Sequence, residues 1–554
     1  MKKKGLALML VSVMLVGMLA ACGGTNSGAG NSTNTTPATT STAKTDEGGA
    51  AEAAEWTWPL ADKKEVSIWL AWTNDYANDP NELLAIQQIE KNTNVHVNWQ
   101  TVNGTEAAEK FGLMLVSGNY ADIMRQANSY YSGGMEKGVQ DGVFLEMTDL
   151  VDKYMPNYKE RIASVDGLEK DVMTDDHRMV GVWTLASDFG KISGERVWGG
   201  PAIREDWLKE AGLDVPKTIA DWDTALRAIK ANHPDLEAPL MTGQNGYNAY
   251  GAWTTAYGVG YAFYKDGNTV KYGPMEDGYK AYVEQMRQWY KDGILDPNFI
   301  TNNATIMGVL DYIGAGKCAA SPNLWGHTAK QLTYMGYNND ENFNLVAAEY
   351  PVMNAGDTPQ CLLDTSATVK ECNAISAKAA DKELVLRYLD YWYTDECMVL
   401  DSMGIENDSY VITDGQYHLG PVLRGKIEDG TVSTIGQAMS LWTLGTSDFG
   451  LYNWGMFEVQ NEDDLSAMDA CDVWNSAKFD MMLPSTMTST DAENTEFTSL
   501  YTDIETLANE NTVKFITGEQ SMDQWDAFQN QLKQYGVERC IELKQAALDR
   551  YNAR

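Results

Sequence analysis

Trp72, Asn74 and Asp75 place an indole, an amide and a carboxylate within four positions. Asn128, Tyr130 and Tyr131 make a second group of the same kind, with phenols in place of the indole. An aromatic face accepts apolar C–H surfaces, while flanking amides and carboxylates hydrogen-bond to hydroxyls. The chemistry available to such groups is a non-covalent grip on a small ligand with apolar faces and polar edges, as a sugar ring has. Trp253 and Tyr247, in a stretch rich in Gly, Tyr and Trp between Met241 and Tyr264, would extend that platform. Every one of these aromatics is equally suited to a hydrophobic core.

Signatures of covalent chemistry are missing from the chain. There is no HExxH, no GxSxG, no dinucleotide fingerprint and no EF-hand loop, and the five histidines stand apart in sequence. Gly314-Ala315-Gly316-Lys317 imitates a phosphate loop but fails it, because Asp311 replaces the first glycine and Cys318 the hydroxyl residue that would hold magnesium. Carboxylate pairs for glycoside hydrolysis stay open among 78 acidic residues, since such pairs are defined by spatial separation. No cofactor and no metal are expected.

The elements around the first two groups read as strand, helix, strand, helix, strand. Val66, Ile68 and Leu70 alternate; Leu83, Leu84 and Ile86 open a helix over 81–91; Val95, Val97 and Trp99 alternate again. A helix over 106–116 leads to Ala121-Asp122-Ile123-Met124. Crossovers of this length predict parallel strands, and ligands sit beyond the carboxyl ends of such strands. That rule puts Trp72, Asn74 and Asp75 after the first strand and Asn128, Tyr130 and Tyr131 after the third. Further helices are predicted over 204–211 with a stop at Gly212, from Thr218 as cap, over 276–291, as one long helix over 381–402, and twice at the C-terminus from Ser521.

At the N-terminus, Lys2-Lys3-Lys4 and an uncharged run end in Leu19-Ala20-Ala21-Cys22, and the run is shorter than the ~20 residues that a spanning helix prefers. This resembles a bacterial lipoprotein signal, which implies cleavage before Cys22 and a lipid on its sulfur. Residues 23–55, mostly Gly, Ser, Thr, Asn and Ala, lack the apolar surface that would offset ordering, and a flexible chain of that length reaches roughly 30 to 35 Å. The net charge of −36 argues against nucleic acid as a partner and, more weakly, for a neutral or cationic ligand. The cysteines after Cys22 are scattered from Cys318 to Cys540 without a CxxC, which predicts neither a disulfide scaffold nor a zinc ribbon.

The stretch Pro201-Ala202-Ile203-Arg204-Glu205-Asp206-Trp207-Leu208, with Gly212-Leu213, Pro216-Lys217-Thr218 and Trp222, resembles family 1 extracellular solute-binding proteins, in detail their LplA-like lipoprotein branch. Gly404-Ile405-Glu406-Asn407-Asp408-Ser409-Tyr410 and Phe515-Ile516-Thr517-Gly518-Glu519 resemble later motifs of that branch. The resemblance implies an α/β fold of the type II periplasmic-binding-protein kind, with two lobes, a hinge and an interlobe cleft. It further implies a monomeric receptor that delivers an oligosaccharide to ABC transporter permease subunits, held by its lipid at the outer face of the cytoplasmic membrane of a Gram-positive bacterium. A peptide or other small-solute receptor, or an extracellular glycosidase, remains the alternative. The implied division is 1–21 leader, 22–55 lipidated cysteine and linker, 56–200 first lobe, 201–360 second lobe, 361–415 first lobe again, and 416–554 the rest of the second lobe. Carried over residue by residue, the resemblance adds Trp325 as a stacking residue and Asp122 as an acidic group near the cleft. It also adds Glu406 at a hinge.

Overall fold

In the strand Lys64–Ala71 the residues Val66, Ile68, Trp69 and Leu70 are all buried, the pattern of a strand covered on both faces. The structure is a computed structural model and describes residues 56–242, 252–301, 309, 312–325, 342–362, 368–445 and 449–554. The account below concerns the compact unit Thr57–Arg554. Tyr247 and Cys22 lie outside the described residues.

In chain order the strands begin β1 (Lys64–Ala71), β2 (Val95–Val102), β3 (Ile123–Met124), β4 (Val182–Asp188) and β5 (Lys191–Ile192). There follow β6 (Gly199–Arg204), β7 (Phe263–Asp266), β8 (Thr269–Tyr272), β9 (Ala320–Trp325) and β10 (Leu345–Ala347). The last are β11 (Val369–Ile375), β12 (Tyr410–Thr413), β13 (Gln416–Leu419) and β14 (Leu451–Asn453). One sheet has the order β14-β4-β11-β3-β1-β2 with β5 on β4, and a second has the order β10-β6-β9. In the first, β1 is parallel to β2 and β3, β14 is parallel to β4, and β11 runs antiparallel to both β3 and β4. The carboxyl ends of β1, β3, β4 and β14 therefore share one edge with the start of β11. Leu451–Asn453 pairs with β4, so this part of 416–554 belongs to the first sheet, in place of the expected assignment to the second lobe.

The sheets rest on two main cores, the larger of which also takes in Ala186, Tyr452 and Trp454 from the β4 and β14 end of the first sheet. Trp69, Phe111, Met124, Phe144 and Cys372 pack beneath the first. A larger core gathers Trp222, Trp253, Trp289, Phe515 and Trp525 around the second. Helix Ile219–Asn232 buries Ile219, Trp222, Leu226 and Ile229, and Thr218 with Asp221 closes a capping box at its start. Helix Glu205–Ala211 stops at Gly212, whose φ of 69° suits a residue without a side chain.

Two predicted helices differ. The long helix expected over 381–402 is two, Lys382–Tyr391 and Asp395–Met403, because the Thr394 side chain accepts from Cys397 N and starts a new helix. Ser521 caps a single 3₁₀ turn, Met522–Gln524, ahead of helix Trp525–Gln534.

Candidate functional site

The edge shared by β1, β3, β4 and β14 carries a cluster of polar and aromatic side chains. Arg125 and Gln126 follow β3 directly, and Gln126 adopts a left-handed φ of 55°, uncommon for a residue with a side chain. Its amide donates to Glu371 on β11 at 3.2 Å, and the Arg125 guanidinium stands 3.7 Å from the same carboxylate. Arg125 is 2% exposed, so its charge is held away from bulk water, and its guanidinium lies 5.5 Å from the Phe449 ring centre. The Tyr130 hydroxyl donates to Gln126 at 3.4 Å, and burial raises its pKa, with Glu371 adding to the shift and Arg125 opposing it.

Across the sheet, β14 delivers Tyr452 and Trp454 to the same edge. Their rings are 5.4 Å apart, Trp198 lies 5.3 Å from Trp454, and Phe457 lies 4.7 Å from Trp198. The Lys370 ammonium sits 3.7 Å over the Tyr452 ring, and Arg196, paired with Asp188 at 3.1 Å, approaches Trp454 to 5.9 Å. Glu458, next to this group, has its pKa raised first by burial and then by the Asp188 carboxylate. Trp198 immediately precedes β6, so this aromatic group stands where the chain leaves the first sheet for the second.

A hollow of about 680 Å³ opens beside the aromatic group, with Trp198, Met456 and Phe457 on one wall and Thr443 and Gly445 on another. A second hollow of about 690 Å³ lies on the other body, lined by Trp207, Asp235, Asp296 and Lys317. There the Trp207 ring is already in contact with Arg204 at 4.1 Å and with the stacked His233 ring at 4.1 Å. The first hollow is the one that adjoins the residues following β14, at the carboxyl edge of the first sheet.

Trp72 and Asn74 reach this edge but act as braces. Trp72 is 8% exposed and donates from Nε1 to Leu444 O at 3.3 Å, while Asn74 Nδ2 donates to Ser440 O at 2.7 Å. Together they hold the segment that walls the hollow, and the open platform expected of Trp72 is replaced by a ring turned into the protein. Asp75 is exposed beside them. Asn128 accepts from Cys372 N at 2.9 Å and so fixes β11 at the rim, and Tyr130 packs against Trp69 at 5.3 Å.

Three expectations are corrected. Asp122 precedes β3, and its carboxylate accepts from Ser67 N at 2.8 Å and Ser67 Oγ at 2.7 Å, a cross-strand clamp in place of a ligand contact. Trp253 is fully buried between Trp222 at 5.0 Å and Trp289 at 5.5 Å, a core residue and no platform. Glu406 lines a separate hollow with Gln88, Asn92 and Glu396 and is not brought to the rim. Trp325 ends β9 with its backbone opposite Gly199, next to Trp198 in register.

Sequence reasoning missed Arg125, Gln126, Glu371, Trp198 and Tyr452. For Arg125 and Gln126 a signal existed: the carboxyl-end rule points first to the residues directly after Met124.

The profile of the family described as bacterial extracellular solute-binding protein matches residues 76–397. The fructooligosaccharide ABC transporter substrate-binding protein FusA of Streptococcus pneumoniae is 30% identical over 253 residues, 43% of this chain and 46% of that protein. Lipoprotein LipO of Bacillus subtilis is 22% identical over 359 residues, 60% of this chain and 65% of that protein. The chain thus matches less than two thirds of either curated relative. Among solved structures, an HMO-binding ABC-transporter-associated solute-binding protein from Bifidobacterium longum infantis superimposes with a TM-score of 0.70 at 17% identity, covering 88% of this chain and 99% of that one. The likeness shows the fold to be the two-lobed α/β fold of solute-binding proteins.

Proposed function

Because the chain belongs to the bacterial extracellular solute-binding proteins, we propose that it is the receptor of an ABC importer and that its ligand is an oligosaccharide. The observation that carries this reading is the edge shared by β1, β3, β4 and β14, which offers the hydrogen-bonding set Arg125, Gln126 and Glu371 and is backed by the buried rings Trp198, Tyr452 and Trp454, whose margins a rearrangement on closure would expose. Aromatic rings with charged and amide groups around them suit the apolar faces and hydroxyl edges of sugars. The two sheet bodies close over the ligand and present the closed form to permease subunits. No bond in the ligand is broken.

In the same reading the protein works as a monomer, cleaved before Cys22 and lipidated there. It is held at the outer face of the cytoplasmic membrane by two acyl chains and a flexible linker. Confinement near the permease raises effective concentration.

Isothermal titration of the purified protein against a panel of neutral and acidic oligosaccharides tests the ligand class, with product analysis after prolonged incubation. Saturable binding of a saccharide that is recovered intact is the expected result. Binding of peptides alone, or release of shorter sugars, would sink the proposal.

A further inference from the structure

The hollow beside the aromatic group differs in character from the polar rim. Ile435, Met439, Met456 and Phe457 line it together with Trp198, and of these Met439, Met456 and Trp198 belong to the buried set. Two methionines in one wall give an unbranched, polarizable surface that adapts to the shape of an apolar guest. Hydrogen-bonding groups are confined to neutral side chains such as Thr443, Gln460 and Asn461, and to a few charges at the margin.

The charged margin discriminates further. Arg424 lines the hollow, but Glu462 accepts a hydrogen bond from its guanidinium and Asp463 pairs with it at 3.1 Å. Glu428 and Asp463 also line the hollow. The one arginine among these groups is answered by two carboxylates, so an anionic guest would meet uncompensated negative charge on entering. At about 680 Å³ the space falls within the range of small-ligand sites.

Its walls are tied to the rim on both sides. Leu444, between the lining residues Thr443 and Gly445, accepts from Trp72 Nε1, and Phe457 packs 5.4 Å from Trp454. A ligand lying along the aromatic group could therefore extend a substituent directly into the hollow.

From these features we infer that the hollow lined by Trp198, Met439, Met456 and Phe457 is a subsite for a neutral apolar substituent on the ligand, such as an acyl ester or an aryl group. The inference rests on the saccharide-receptor reading for the rest of the ligand. The subsite itself is a property of the walls and can be tested without knowing the sugar.

The probe is the neutral fluorophore N-phenyl-1-naphthylamine, titrated into the full-length protein and read by fluorescence enhancement. Saturable binding of one dye per chain is expected. Two variants locate it. Met439→Glu puts a carboxylate on the apolar wall, and Gly436→Leu adds bulk at a lining position where a Cβ would meet no heavy atom within 4 Å. Each is expected to weaken dye binding about tenfold or more. The Gly436 change lies on an exposed position of helix Ile435–Met439, so it reports on the hollow even if Met439→Glu fails to fold. Absence of saturable dye binding, or binding unchanged in Gly436→Leu and in folded Met439→Glu, would overturn the subsite. The oligosaccharide panel on the same proteins separates the two readings. Sugar binding without dye binding removes only the subsite, and dye binding without sugar binding removes the receptor reading.

Discussion

Asp122 and Ser67 are bonded three times over: the carboxylate accepts from Ser67 N and Oγ at 2.8 and 2.7 Å, and Ser67 Oγ accepts from Asp122 N at 2.9 Å. The pair joins the middle of β1 to the residue that leads into β3, and the rim residues that follow both strands depend on it for their spacing. Asp122→Ala leaves the Ser67 amide without its carboxylate partner and should cost about 1 to 3 kcal/mol. Urea denaturation measures the loss. A change below about 0.3 kcal/mol would mean that the clamp is dispensable.

Glu371 receives both the Gln126 amide and the Arg125 guanidinium, so removing its charge leaves a nearly buried cation less well compensated. Glu371→Gln should weaken saccharide binding by about tenfold, or ~1.4 kcal/mol, through a misplaced Arg125. Calorimetry on the best ligand of the panel reads this, and unchanged affinity would move the ligand off this part of the rim.

Near the C-terminus, Arg550 bonds Glu493 at 2.5 and 2.9 Å and Asp175 at 3.0 Å. Glu493 has its pKa lowered below 4.5, chiefly by the hydrogen bond from Arg550. A carboxylate with a depressed folded pKa contributes stability above its unfolded value, and that contribution fades as pH falls through the folded value. Thermal melts from pH 6 to pH 3 should therefore fall more steeply in wild type than in Arg550→Ala. At neutral pH the substitution should cost about 1 to 2 kcal/mol, a figure reduced for solvent screening. Parallel melting curves would contradict the assignment.

Gly200 lies under the indole of Trp474, whose Nε1 donates to Pro201 O at 2.9 Å. A Cβ on Gly200 would fall 2.5 Å from the Trp474 ring. Gly200→Ala should destabilise by about 1 to 3 kcal/mol through forced displacement of that ring. Chemical denaturation measures this, and a neutral result would show that helix Ser466–Trp474 yields easily.

What could be read in the amino-acid order was local. Thr218 with Asp221, Gly212, and the alternation of Val66, Ile68 and Leu70 announce their elements because propensity, capping and burial agree there. The break at Thr394 went unread because its apolar flanks continue the helical period across a capping residue. At the site, the carboxyl-end rule found the right edge and then chose visible aromatics, Trp72 above all, over Arg125 and Gln126. An arginine after a strand gives no sign that it will be buried. Trp253 shows the converse: an indole in a glycine-rich stretch looks like a platform and packs as core. Trp198, Tyr452 and Trp454 meet only through the pairing of β14 with β4, and no pattern within either segment marks that contact.

That pairing also bears on the order in which the chain can fold. Thr184 Oγ1 donates to Phe449 O, a partner 265 residues further along, and β14 completes the first sheet only after the strands β6 to β10 and β11 have been made. A sheet closed by so late a strand cannot finish while its first half is emerging from the ribosome. The edge of β4 that β14 pairs stays open until residues 451–453 have been made, so the first sheet cannot close before most of the chain exists.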